Sequence, residues 1–304
     1  MRVTLSMMTS RVLDDLMVSS ERLLEAQNRA SSGKRIRRPS DDVSGTGLAM
    51  NLRETLSELE QFERNGDVAK SQLMATSDYL SSISEMLEEA RSLALSAANP
   101  AVTDEARSAI ALQLDQISSA LAAAGNAQYA GKYLFAGSQT KTPPLVPSGV
   151  ESPPYSYQGD SEEFRLQVAP GTYISSNVTG DGLFNIGGDS VPGAPDIFET
   201  LRLLKQEITA GDSPAISSRI ADIDANLNNV IATESQVGAK LNRLDNITGT
   251  VLDSQLVFKE LLTKTEDVDL AEAILELRTR ENVYQAAIAT ASRVLQMSLA
   301  DYLE

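Results

Sequence analysis

Carboxylates are the only side chains in this sequence grouped closely enough to suggest chemistry. Asp41-Asp42, Glu162-Glu163 and the pair Asp267/Asp269 stand out, and paired carboxylates can share acid and base work or hold a hard cation. Nothing completes such a site. His and Cys are both absent, which removes the usual proton shuttle, the commonest metal ligand, the thiol nucleophile and any disulfide. Each pair therefore reads as a helix cap or a solvated face. Thr179-Gly180-Asp181-Gly182 lacks the alternating oxygen ligands of a calcium loop. Gly187-Gly188 has no following lysine and cradles no phosphate. Neither catalytic residues nor a metal or cofactor site is expected.

Two other groups could bind. Lys34-Arg35-Ile36-Arg37-Arg38 is a dense basic run in a chain of formal net charge −16. It suits an acidic protein face better than DNA, and the overall charge disfavours both nucleic acid and anionic membranes. Tyr155, Tyr157 and Tyr173 could stack on a ligand, although aromatics at strand alternation more often fill a small β core.

The elements that must carry these residues are long helices. Ile223, Val230, Val237, Leu244, Val251 and Phe258 recur at intervals of seven, with a half-apolar series (Ile220, Leu227, Glu234, Leu241, Thr248, Gln255) three residues ahead of each. Sustained seven-residue spacing predicts a coiled-coil seam. Leu73, Leu80 and Leu87 carry the same spacing in an earlier helix that runs to Asn99-Pro100, and Asn65-Gly66-Asp67 is a candidate kink. Residues 3–31 predict another helix, whose face of Leu5, Val12, Leu16 and Leu23 ends at Ser32-Gly33. Leu270, Ile274, Leu277, Tyr284, Ile288 and Leu295 form the stripe of a last helix.

Composition shifts in the middle, where eight of the eleven prolines fall between Pro143 and Pro195. Tyr155-Ser156-Tyr157, Phe164–Val168 and Thr172-Tyr173-Ile174 alternate there between breakers, which predicts short antiparallel strands. The expected architecture is mainly α with a small β insert, a long antiparallel coiled-coil rod carrying a β-rich tip. Its expected parts are a terminal helix and basic loop (1–40), ascending rod helices (41–140), the insert (141–197), descending rod helices (198–266) and a second terminal helix (267–304). The stripes of the two terminal helices find little within the chain to cover them, which favours either disorder in the monomer or a neighbour that covers them. The alternative is that both helices fold back along the rod. No apolar stretch of about 18 residues predicts a membrane span, and Met1–Met8 opens no Sec-type signal peptide.

Particular phrases resemble a known family. Ser32-Gly33-Lys34-Arg35-Ile36, then Asp41-Asp42, Gly45 and Leu48-Ala49, is similar to the N-terminal signature of bacterial flagellins and flagellin-like proteins. Asp267–Ala273, Gln285-Ala286-Ala287 and Val294–Leu299 resemble that family's other end. Tyr133–Thr140 and Tyr157-Gln158-Gly159-Asp160 resemble its hook–filament junction branch. The resemblance implies a non-enzymatic structural subunit, exported through the flagellar type III apparatus without a cleaved signal and located in the extracellular flagellum. It implies that residues 1–31 and 270–304 are disordered when free and polymerise as helices. The implied partners are further copies in a ring, hook-associated protein 1, flagellin, and an export chaperone on the C-terminal segment. A flagellin of the filament is the nearest alternative. A secreted adhesin with the β insert as its recognition head is an alternative of another class.

Overall fold

A computed structural model describes residues 5–150, 152–186 and 195–303, with side chains for all of these except 5–6 and 294–303. The chain forms two compact units. One is built from both chain ends, up to Glu58 and from Ser254 onward; the other is Leu59–Asp253. Two long helices contribute to both.

The first unit opens with α1 (Leu5–Ser32), followed by the start of α2 (Val43–Ala97). After α3 (Asp104–Gly125) come the paired strands β1 (Gln128–Tyr129) and β2 (Lys132–Tyr133). β3 (Leu145–Pro147) pairs with β4 (Tyr155–Tyr157), and β5 (Arg165–Ala169) with β6 (Thr172–Ser175). The short α4 (Gly180–Phe184) precedes α5 (Ile197–Ala210), α6 (Ser213–Glu266) and α7 (Leu270–Leu303).

The second unit is held by the spacing that the sequence displays. Leu73, Leu80 and Leu87 of α2 and Ile223, Val230, Val237 and Leu244 of α6 lie in one continuous buried cluster. Ala90, Ala94, Ala97, Leu114, Leu121, Leu201 and Leu204 extend it into α3 and α5. Small alanines there let neighbouring helices approach closely. Full burial of each leucine or isoleucine contributes roughly 1.5–3 kcal/mol. The exposed ion pair Lys70–Asp245, at 2.7 Å, and the pair Arg91–Asp224 fix α2 and α6 as antiparallel, because the residue number on one helix rises as that on the other falls. Such surface pairs contribute at most about 1 kcal/mol each, so the core dominates. Thr103 caps α3 by accepting from Ala106 N at 3.3 Å, after Pro100 has ended α2.

Several details depart from expectation. α2 runs on as helix through Asn65-Gly66-Asp67, the candidate kink. Gly66 is instead a site of close approach, since a Cβ there would lie 3.2 Å from Thr248 Oγ1. Val251 is buried but lies outside the continuous cluster, and Phe258 is only half-buried, in the first unit. Strand pairing begins at Gln128, before the expected insert, and takes the form of three separate two-stranded sheets. Gly187-Gly188 lies outside the described residues.

The insert is organised by rings and polar clasps rather than by one sheet. Phe135, Phe184 and Phe198 are fully buried, with Phe184 5.9 Å from Phe135 and 5.8 Å from Phe198 between centroids. Tyr155 packs on Phe198 at 4.6 Å. Asn126, just beyond α3, both accepts from Leu145 N at 2.9 Å and donates to Leu145 O at 2.8 Å, seating β3.

Candidate assembly surface

Within the first unit the two terminal helices are joined by a short backbone clasp. Gly33 closes α1 in the left-handed region (φ +67°), which its missing Cβ permits. Gly33 O then accepts from Val268 N at 2.9 Å, and Arg35 N donates to Glu266 O at 2.7 Å. Glu266 is buried, and its carboxylate is shared by Lys34 and Arg53. Asp42 accepts from Gly45 N at 2.8 Å at the start of α2. A Cβ on Gly45 would come within 2.5 Å of both Asp42 and Ile36, so only glycine fits beneath that cap. Asp41 acts differently and accepts the backbone N–H groups of Arg37 and Arg38 at 3.1 and 2.9 Å. Asp269 caps α7 through Ala271 N at 2.8 Å. Asp41, Asp42 and Asp269 thus bind backbone amides at the two ends. Among the described residues no group of three His, Cys, Asp or Glu side chains could hold a metal ion.

The clasp places α1 and α7 side by side and antiparallel, as the Arg29–Glu276 pair at 3.7 Å also requires. Val12, Leu16 and Leu23 are half-buried and Ala26 is buried on α1. On α7, Ala273 and Ala291 are buried, while Leu277 and Tyr284 are half-buried. The wide stripe read on the last helix therefore divides. Leu270, Ile274 and Ile288 are exposed, at 54%, 47% and 44%. The side chains of Leu5 and Leu295 lie outside the described residues.

A second apolar row escapes a reading based on the seven-residue face alone. Leu13, Met17 and Leu24 of α1 recur at helical spacing and are 44%, 67% and 56% exposed. They sit about 100° around the helix from the half-buried row, each one residue after its half-buried counterpart. The signal was present in the sequence as apolar residues at i, i+4 and i+11, on a flank adjoining the better-marked stripe. Each terminal helix thus presents apolar side chains beyond those the pair shelters.

In the second unit, the two phrases that resembled the junction branch prove to be each other's partners. Tyr157 Oη donates to Phe135 O at 2.8 Å, and Asp160 N donates to Ala136 O at 3.3 Å. Asp160 also accepts from Ser138 N at 2.7 Å and from the Ser138 hydroxyl. Gly137 has φ +68° and no room for a Cβ against Asp160. Burial pushes the Tyr157 hydroxyl up to about 12. Of the three tyrosines considered as a stacking platform, Tyr155 and Tyr157 are occupied internally, and Tyr173 remains exposed.

The N-terminal helical region of bacterial flagellin matches residues 3–140, and the C-terminal helical region of bacterial flagellin matches residues 220–303. Flagellar hook-associated protein 3 of Salmonella typhimurium is 24% identical over 98% of each chain. Flagellin of Listeria innocua is 22% identical over 97% of this chain and 96% of its own. A solved flagellar hook-associated protein from Vibrio parahaemolyticus superposes with a TM-score of 0.67 at 26% identity, covering 75% of this chain and all of its own. The helices that carry the exposed rows are the ones the flagellin terminal regions match, and on that ground the chain belongs to the bacterial flagellin family.

Proposed function

We propose that this chain is a non-enzymatic structural subunit of the flagellar hook–filament junction. It joins other axial subunits through the outward apolar sides of α1 and α7. The observation that carries the reading is the pair of uncovered rows, Leu13, Met17 and Leu24 on one helix and Leu270, Ile274 and Ile288 on the other. Completing the burial of one such half-exposed side chain contributes roughly 1 kcal/mol. Six of them supply a driving force on the scale that association must overcome, about 4–15 kcal/mol. The assembly face is therefore Val12, Leu16, Leu23, Leu277 and Tyr284 pairing the helices, with the two outward rows against neighbours. Leu5 and Leu295 continue the same sequence pattern.

The expected neighbours are further copies in a ring, a hook-associated protein on one side and flagellin on the other. An export chaperone shields the C-terminal segment before the chain leaves the cell by a route without a cleaved signal. No described helix is long and apolar enough to cross a membrane. The near full-length similarity to a hook-associated protein 3 and the Tyr157–Asp160 clasp, part of the junction-branch phrases, favour the junction over the filament. The test is a strain lacking this chain. It should build hooks without filaments and release flagellin into the medium; normal filaments on those hooks contradict the reading. If the chain is instead a flagellin, it will be the bulk protein of sheared filaments rather than a trace.

A further inference from the structure

The basic loop does not project freely; it folds over the outward side of α1 and closes a cleft of about 480 Å³. Asp41 sets this geometry by accepting the N–H groups of both Arg37 and Arg38, which holds its carboxyl below the ordinary carboxylate range. The cleft is lined by Arg22, Arg37 and Arg38 and the exposed aliphatic side chains Val18 and Leu24, with the carboxylates Glu21, Glu25 and Asp41 on the same wall. Two other arginines at its edge are already satisfied, Arg29 by Glu25 at 2.7 Å and Arg35 by Asp42 at 3.2 Å. Arg22, Arg37 and Arg38 make no ion pair within 4 Å among the described residues. In a chain with 42 acidic and 26 basic side chains, a cleft with five arginines against three carboxylates is a local excess of positive charge, even with Arg38 and Arg29 drawn to Asp41.

We propose that this cleft receives a carboxylate-bearing helix face of a second copy of the chain. Guanidinium forks match carboxylates in pairs, while Val18 and Leu24 can cover the methylene stems of two glutamates one helical turn apart. The chain itself presents faces of this kind. Glu54 and Glu58 stand one turn apart on α2, both exposed and unpaired among the described residues. With a net charge of −16, copies brought together by apolar rows alone would repel. An arginine cleft opposite an acidic face converts that repulsion into a fixed register. The proposal rests on the junction reading, which supplies the second copy.

The test places a photo-crosslinking residue, Val18→p-benzoylphenylalanine, in the full chain within assembled flagella. The expected product is a covalent dimer of twice 32.6 kDa, whose crosslinked peptide is helical and carries two carboxylates one turn apart. Arg37→Glu with Arg38→Glu should lower dimer yield at least tenfold, and the matching Lys substitutions should largely retain it. If the Glu variant is not exported, the purified full chain carrying the probe serves instead. Its dimer yield should then fall as salt rises from about 0.05 to 0.5 M, where screening shortens to a few ångströms. A crosslink to a different protein, a peptide without paired carboxylates, or a yield indifferent to both charge reversal and salt overturns the proposal. Replacing Leu13, Met17, Leu270 and Ile274 by Ser separates the two ideas. Lost filaments together with a dimer yield indifferent to arginine reversal leave the junction reading standing and remove the cleft proposal. Retained filaments remove the apolar basis of the junction reading itself.

Discussion

Glu266 shows how one side chain can decide a clasp. It is buried and shared by two cations that are themselves well exposed, Lys34 and Arg53. Removing one cation leaves the other in place, so Lys34→Ala or Arg53→Ala alone should cost about 1 kcal/mol or less. Removing both leaves a buried, unpaired carboxylate, and that double variant should cost roughly 3 kcal/mol. Urea denaturation of all three variants measures the non-additivity, and strict additivity contradicts the shared-anion picture. Tyr157 gives a second residue-scale expectation. Tyr157→Phe removes the bonds to Phe135 O and Asp160 O and should cost about 1–2 kcal/mol in the same assay. Asp160 is held below its ordinary value of 3.8, first by the Ser138 hydroxyl and then by the Ser138 N–H. Its folded value is therefore the lower one. The stability it adds is present above about pH 4 and lost as pH falls through the folded value. Thermal melting between pH 6 and 2 should show that loss, and Ser138→Ala should make it smaller.

At the scale of elements, the long helices rest on strict seven-residue spacing and respond accordingly. Leu244→Ala removes a fully buried side chain from the continuous core and should cost about 2–5 kcal/mol. Leu256→Ala, on the exposed side of the same helix, should stay within about 0.5 kcal/mol. Equal effects contradict the seam. This part of the fold was legible because Leu73, Leu80, Leu87 and the series from Ile223 to Leu244 leave no other helix face apolar enough to bury. The caps were legible for a similar reason, since Asp42, Thr103 and Asp269 stand where free amides begin. Three things were not legible. The stripe of α7 is broad, and periodicity cannot say which edge of it meets α1, so Leu270 and Ile288 read the same as Leu277. The strands of the insert are two to five residues long and are positioned by side chains such as Asn126, whose partner Leu145 is distant in sequence. α4 begins Gly-Asp-Gly, which propensity disfavours; it is closed by Asn185 in a left-handed conformation.

For the whole molecule, each unit has a different relation to its own surface. Leu59–Asp253 encloses a continuous core and its ring cluster without help. The unit made from the chain ends buries one face of each terminal helix and leaves apolar rows outside, the arrangement of a part that is finished by its neighbours. The decisive measurement replaces Leu13, Met17, Leu270 and Ile274 together by Ser in the full chain. Far-ultraviolet circular dichroism and melting of the purified variant establish that the fold is retained, because these side chains are exposed in the free subunit. Filaments per hook and flagellin in the culture medium are then counted in cells carrying only this variant. The account predicts bare hooks and released flagellin from a subunit that folds normally. Wild-type numbers of attached filaments would contradict it.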